Sequence, residues 1–477
     1  MNFVKNSNLE GMKLAHHTDG LKVPWNKEVC KIAAGNGQLK CLIYAYKNGC
    51  PWDEGTCSFA ALYGHIECLK YAHENGCPWD EKTCKSAAKN GHIKCLIYAH
   101  ENGCPWDEKT SLIAAYYGRQ NCLIYSHKNG CPMHVDTCKI AAENGHLQCL
   151  KYAHENGCPW NEKTCMLSAK CGHLPCLMYA HENGCPWDEK TCKSAATNGY
   201  LQCLKSAHEN GCPWDEGTCE SAAKCGHLPC LMYAHENGCP WDECTCSDAA
   251  LNNHIGCLIY AHENGCPWDE GTCILAAEGG NLECLIYAHE NGCPWNEDTC
   301  RSATNSDIKC LVYAHENGCP WDEETCSLAV LNGNIKCLIY AHENGCPWDE
   351  KTCEEAAKTG QLDCLKYAFE NGCTIKEYNI PEIEYDKFIY KKYICINYLK
   401  NQGVKLCFDN TNNDIKKFLI LFNHMFIYMT KLVINKKSFH RSSTIQKELI
   451  EFTFHPSRFI DWCLDEEEKQ EYKEDFV

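Results

Sequence analysis

Prolines punctuate this chain at a fixed interval. Pro51, Pro78, Pro105, Pro132, Pro159, Pro186, Pro213, Pro240, Pro267 and Pro294 are spaced by 27 residues, and Pro24 lies 27 before Pro51. Pro320 comes 26 residues after Pro294, Pro347 restores the interval, and Thr374 stands where the next proline would fall. A period of this length means one small supersecondary unit copied in tandem. Each copy is too short to cover its own apolar face, so the copies must stack and bury that face against one another.

Residues 77–103 show what one copy contains. Asp80 is a natural N-cap, and Glu81 sits at the positive end of the helix that follows. Ala87 and Ala88 favour helix and allow a neighbour to approach closely. Gly91 suits the left-handed residue that ends the helix. A second helix starts near His92, with Ile93, Leu96 and Ala99 on one face and Cys95 and Tyr98 beside them. Asn102-Gly103 closes it, and Pro105 prevents its continuation. No alternation of β-branched residues suggests a strand. The pattern predicts an all-α, helix-turn-helix solenoid with short connections.

Composition narrows the setting. Cys accounts for 44 of 477 residues, a proportion typical of small secreted disulfide scaffolds. This chain is long, however, and the opening stretch Met1 to Asn8 lacks the apolar core of a signal peptide. A reduced cytoplasmic setting, not a secreted one, is the expectation. The net charge of -18 disfavours a phosphate backbone or an anionic membrane as partner. The most apolar run, Phe418 to Ile434, is interrupted by Asn423, His424 and Lys431 and is short for a bilayer span, so it reads as a buried helix.

The segment Thr83 through Ala88, followed after two variable residues by Gly91-His92-Ile93, resembles the ankyrin pattern T-P-L-H-x-A-A-x-x-G-H-L. Cys104 stands where ankyrin repeats usually carry Ala. The likeness covers most of residues 8–374, but the unit is about six residues shorter than an ankyrin repeat. The missing residues belong to the hairpin finger between repeats, and Cys84 replaces the usual Pro. This Cys-Pro-Trp-Asp-Glu form resembles the short ankyrin-like arrays of large DNA viruses of amoebae and of some protists. The resemblance implies a protein-binding scaffold, monomeric, without catalysis or cofactor, acting on a host protein in the host cytoplasm if viral. It also implies that the two residues after Ala-Ala face the concave surface that touches partners.

The expected organisation is a half-repeat cap over residues 1–24, tandem repeats over 25–374, a degenerate last repeat over 375–407 and a helical tail over 408–477. The variable positions after Ala-Ala supply the candidate partner-binding residues: Tyr63, Lys89, Tyr116, Tyr117, Glu143, Lys170, Leu251 and Leu331. Aromatic anchors dominate binding energy, which singles out Tyr63, Tyr116 and Tyr117.

Three further motifs have chemical readings. Each repeat carries three Cys, as in Cys84, Cys95 and Cys104, and with His92 and His100 these suggest metal binding. The separations of eleven and nine residues do not match the close Cys pairs of structural zinc sites, so packing as small hydrophobes is preferred. His100-Glu101-Asn102 recurs in most copies, whereas a catalytic site is built once, so it reads as an exposed helix end. Trp79, Trp106, Trp160 and Trp187 read as loop residues that pack over the next repeat. No catalytic motif is found. Two alternatives to a simple scaffold stay open: a substrate-recruiting adaptor of a host ubiquitin ligase, by analogy with the family alone, and a Cys/His metal-binding array.

Overall fold

The computed structural model describes residues 26–373, 375–380 and 389–408, together with 9, 10 and 13. The proposed cap over 1–24, the tail over 408–477 and the Phe418–Ile434 run therefore lie outside the described residues, apart from those few positions. The chain divides into two compact parts, Met1–Trp295 and Asn296–Val477.

The first part contains ten helix pairs among the described residues, from Lys27–Gly35 with Leu39–Lys47 to Glu270–Glu278 with Leu282–Glu290. Each pair forms as the sequence dictates. In the pair Glu81–Asn90 and Ile93–Glu101, the Asp80 carboxylate accepts the Lys82 N–H, and Gly91 takes a left-handed φ of 79° to end the first helix. Asn102 then caps the second helix and bonds back to the Tyr98 carbonyl through its side chain at 2.8 Å. Residues 102–107 are all that connects this pair to the next helix, Glu108–Tyr116. No hairpin finger interrupts residues 26–373.

The core is assembled from the small residues of both helices. Cys84, Ala87 and Ala88 from the first helix, and Cys95, Leu96 and Ala99 from the second, are sealed from solvent, and every other pair repeats the arrangement with few changes. Cys104 adds a directional contact. Its thiol donates to the Asp80 carbonyl at 3.3 Å, tying one inter-repeat loop to the previous one. Cys77 to Asp53 (3.3 Å) and Cys131 to Asp107 (3.1 Å) repeat that tie. All the described cysteines are free thiols, nearly all buried. They serve as small hydrophobes with a weak S–H donor, in line with the packing reading.

The second part begins with three more helix pairs. Its first helix, Glu297–Ala303, is only seven residues long, and this is where the 26-residue interval falls. Asp307 compensates by capping the next helix, accepting from the Lys309 N–H at 3.2 Å. Beyond Cys373 the pattern changes. Strands Glu377–Ile380 and Lys405–Phe408 pair in parallel on either side of helix Ile389–Asn401. The helix carries Cys395, Ile396 and Leu399 into the core, as the repeat pattern suggests. The strands are unforeseen by the helical periodicity and close this segment with the buried Tyr378.

Leu96 is fully buried between pairs, so Leu96→Ala leaves a cavity and costs about 2–5 kcal/mol in urea unfolding. Because each pair touches only its neighbours, hydrogen exchange should lose protection in helices Ile66–Glu74 to Gln120–Lys128 and keep it around Leu258.

Candidate functional site

The C-terminal ends of the first helices form one rim of the first part. The last carbonyls of a helix have no partner within it, and here the next repeat supplies one. The His146 Nε2 lies 3.0 Å from the Tyr116 carbonyl, thirty residues earlier. A carbonyl can only accept, so Nε2 carries the proton and Nδ1 is bare. Nδ1 in turn faces Gly118, where an added Cβ would sit 2.5 Å from it. Gly118 is thus required both for its φ of 68° and for this approach. Other repeats use different donors for the same task. Arg119 Nε donates to the Lys89 carbonyl at 3.2 Å, and Asn281 Nδ2 to the Leu251 carbonyl at 2.8 Å. The motif reads as Gly-His, but what the position supplies is a donor.

The candidate residues of the first part occupy this rim, and Leu331 holds the equivalent place in the second part. Tyr63 and Tyr117 are helix C-caps, Tyr116, Glu143, Lys170, Leu251 and Leu331 are last helical residues, and Lys89 is in a last turn. Tyr63, Tyr116 and Tyr117 are 50%, 47% and 37% exposed, and Lys89 and Lys170 are exposed as well. The Tyr116 and Tyr117 rings meet edge to face at 4.8 Å, and Lys89 Nζ lies 5.4 Å over the Tyr117 ring. Tyr63 instead leans on Phe59 of its own helix, at 6.2 Å. Glu143 and Leu251 are half-buried. Leu331 is exposed at the equivalent position within the second part. Tyr200, also exposed, joins the rim of the first part. It replaces the seam histidine of its repeat, so an aromatic residue at that position was the available signal.

The opposite edge carries a second repeating arrangement. His73 stacks on Trp79 at 3.8 Å, and its Nδ1 is 3.1 Å from the Tyr98 hydroxyl of the next second helix. Trp79 meets the same Tyr98 ring edge-on at 6.3 Å. The set recurs, as in His154, Trp160 and Tyr179. The histidine is therefore half-buried under a tryptophan, which corrects the expectation of an exposed helix end. The tryptophan does pack over the next repeat as expected, but its main partner is the histidine before it.

Burial pushes the second-helix thiols up, Cys95 to about 12 and Cys176 to about 11, away from the thiolate that metals and electrophiles require. Among the described residues no group of three or more His, Cys, Asp or Glu is placed to hold a metal ion. Among them, too, no helix is long and apolar enough to cross a membrane.

No family model and no curated protein matches the chain. Solved helical-repeat structures are similar to it in part. The human ASB11 ankyrin repeat domain is 19% identical, with a TM-score of 0.30 over 33% of this chain and 84% of that domain. The maize pentatricopeptide repeat protein PPR10 is 12% identical, with a TM-score of 0.29 over 94% of this chain and 83% of its own length. In its complex with an 18-nt psaJ RNA element the TM-score is 0.35, over 83% of this chain, which spans 64% of that protein. None superposes well enough to bear on function. The geometry of the repeats themselves is ankyrin-like: helix pairs, a left-handed glycine between them and a buried Ala-Ala.

The seam has a pH consequence. Burial holds His92 and His146 below the ordinary imidazole value of 6.5, and neighbouring charges act in the same direction: His65 and Arg119 on His92, His173 and Arg119 on His146. A depressed histidine favours the neutral form in the folded chain, so its contribution is full above the unfolded value and is lost as pH falls through that value towards the folded one. The melting temperature should therefore drop between about pH 7.5 and 5.5. In the double variant His92→Asn, His146→Asn, which borrows the donor used at Asn281, that drop should be smaller.

Proposed function

We propose that the chain is a non-catalytic scaffold that binds a protein partner through the first-helix rim of its first part. The observation that carries this is the group Tyr63, Lys89, Tyr116 and Tyr117, large side chains held in the open by a regular backbone. A tyrosine ring offers much contact area for little loss of rotamer freedom, and Lys89 over Tyr117 pre-orders both side chains. Glu143 and Lys170 continue the rim with opposite charges, which suits discrimination among partners more than raw affinity. Second-helix thiols that are buried and held protonated, and histidines already spent on stacking and seam bonds, offer little to acid–base or nucleophilic chemistry. The short loops leave no finger for contact, so the helix ends carry the recognition.

The side chains of Tyr63, Tyr116 and Tyr117 are outside the core, and a triple substitution to Ala should preserve helix content and melting temperature. Proteins captured by the wild type should be lost or strongly depleted from the triple variant, as quantified by mass spectrometry. An unchanged set of captured proteins would place binding elsewhere.

A further inference from the structure

The His–Trp–Tyr arrangement of the outer edge lacks its tyrosine in one repeat, and its neighbours show what is missing. In the sets built on His73, His154, His262 and His342 the imidazole stacks on the indole at 3.7–3.9 Å, and the next repeat's tyrosine brings its hydroxyl to 2.9–3.1 Å from Nδ1. His181 and Trp187 form the same stack at 3.7 Å. The residue that should complete it is Ser206, twenty-five positions after His181, as Tyr98 is after His73. Serine is too short to reach the imidazole. Among the described residues, His181 Nδ1 has no hydrogen-bond partner.

Met178 supplies the fourth wall. It aligns with Lys70, Lys151 and Lys205, each of which extends over the tyrosine ring of the next repeat, at 5.9, 5.2 and 5.2 Å. With no ring to cover, Met178 leans onto Ser206, whose hydroxyl donates to its sulfur. A thioether on a flexible stem is easily displaced, and it makes a favourable contact with an aromatic ring. Met178, His181, Trp187 and Ser206 are all half-buried, so the notch opens to solvent.

We propose that this notch binds a phenol ring, the side chain of a tyrosine carried by a partner polypeptide. The ring would meet Trp187 edge-on and pass under Met178, as the chain's own tyrosines do under a lysine one repeat away on either side, with its hydroxyl on His181 Nδ1, as Tyr179 places its own on His154. The unpaired Nδ1 selects phenol over phenyl, because a phenylalanine would leave it unpaired and desolvated. A one-ring site is weak alone. It contributes when the partner is already held elsewhere and the tyrosine arrives at high effective concentration. This site is on the opposite edge from the first-helix rim and does not depend on binding there.

The test uses the full chain with ¹⁵N-labelled tryptophan, the Trp187 indole resonance being assigned by Trp187→Phe. N-acetyl-L-tyrosinamide should shift that resonance saturably, and N-acetyl-L-phenylalaninamide should bind at least about fivefold more weakly. Ser206→Tyr fills the notch from within and should abolish the shift while keeping the wild-type circular dichroism and melting temperature. His181→Phe keeps a ring on Trp187 and should erase the preference for the phenol. The proposal is overturned by an absent or non-saturable shift, by equal affinity of the wild type for the two amides, by an undiminished shift in Ser206→Tyr, or by a preserved preference for the phenol in His181→Phe.

Discussion

Everything in this fold depends on contact between one helix pair and the next. A helix pair of 27 residues has an apolar face it cannot cover, and the neighbour's matching face is the only cover at hand. The choice of core residues follows. Ala-Ala on the first helix and Cys on both helices are small, so adjacent pairs approach closely, and a single Leu per repeat supplies the bulk. Cysteine does more than fill space, since loop thiols such as Cys104 and Cys346 bond the cap carbonyl of the loop before them. A chain that spends so many cysteines this way needs them reduced, and burial holds the second-helix thiols in the protonated state.

Two edges flank this core, and each adds its own tie between neighbours. On one, a side-chain donor such as Arg119, His146 or Asn281 satisfies a helix-end carbonyl of the repeat before. On the other, a histidine, a tryptophan and a tyrosine from successive elements close on one another. Residues that look like repeated polar decoration are thus structural, and the surface left for function is what varies between repeats. This is why the rim tyrosines and the Ser206 gap stand out: both are departures from a pattern whose regular members are already occupied.

Much of the fold was legible in the sequence because its signals are local. The Asp80 cap, the Gly91 turn, the Ala87-Ala88 pair and the Pro105 stop act within one helix pair. The His–Trp–Tyr contact was not legible, because His73 and Tyr98 are 25 residues apart and each alone looks like an exposed polar or amphipathic residue. The strands at Glu377–Ile380 and Lys405–Phe408 were missed for a similar reason: each is four residues long, and their register, Glu377 opposite Lys405, joins residues across an intervening helix. Position on a helix sufficed to place Tyr63, Tyr116 and Tyr117 in the open. It did not separate them from Glu143 and Leu251, whose partial burial depends on the neighbouring repeat.

The claim on which this account rests is that the cysteines are the packing core, reduced and inaccessible. Alkylation of the native protein under reducing conditions, followed by peptide mapping, addresses it directly. Cys244, the exposed thiol on a first helix, should be modified while Cys84, Cys95 and Cys104 stay unmodified until denaturant is added. Modification of Cys84 and Cys104 in the native protein at the rate seen for Cys244 would contradict the account.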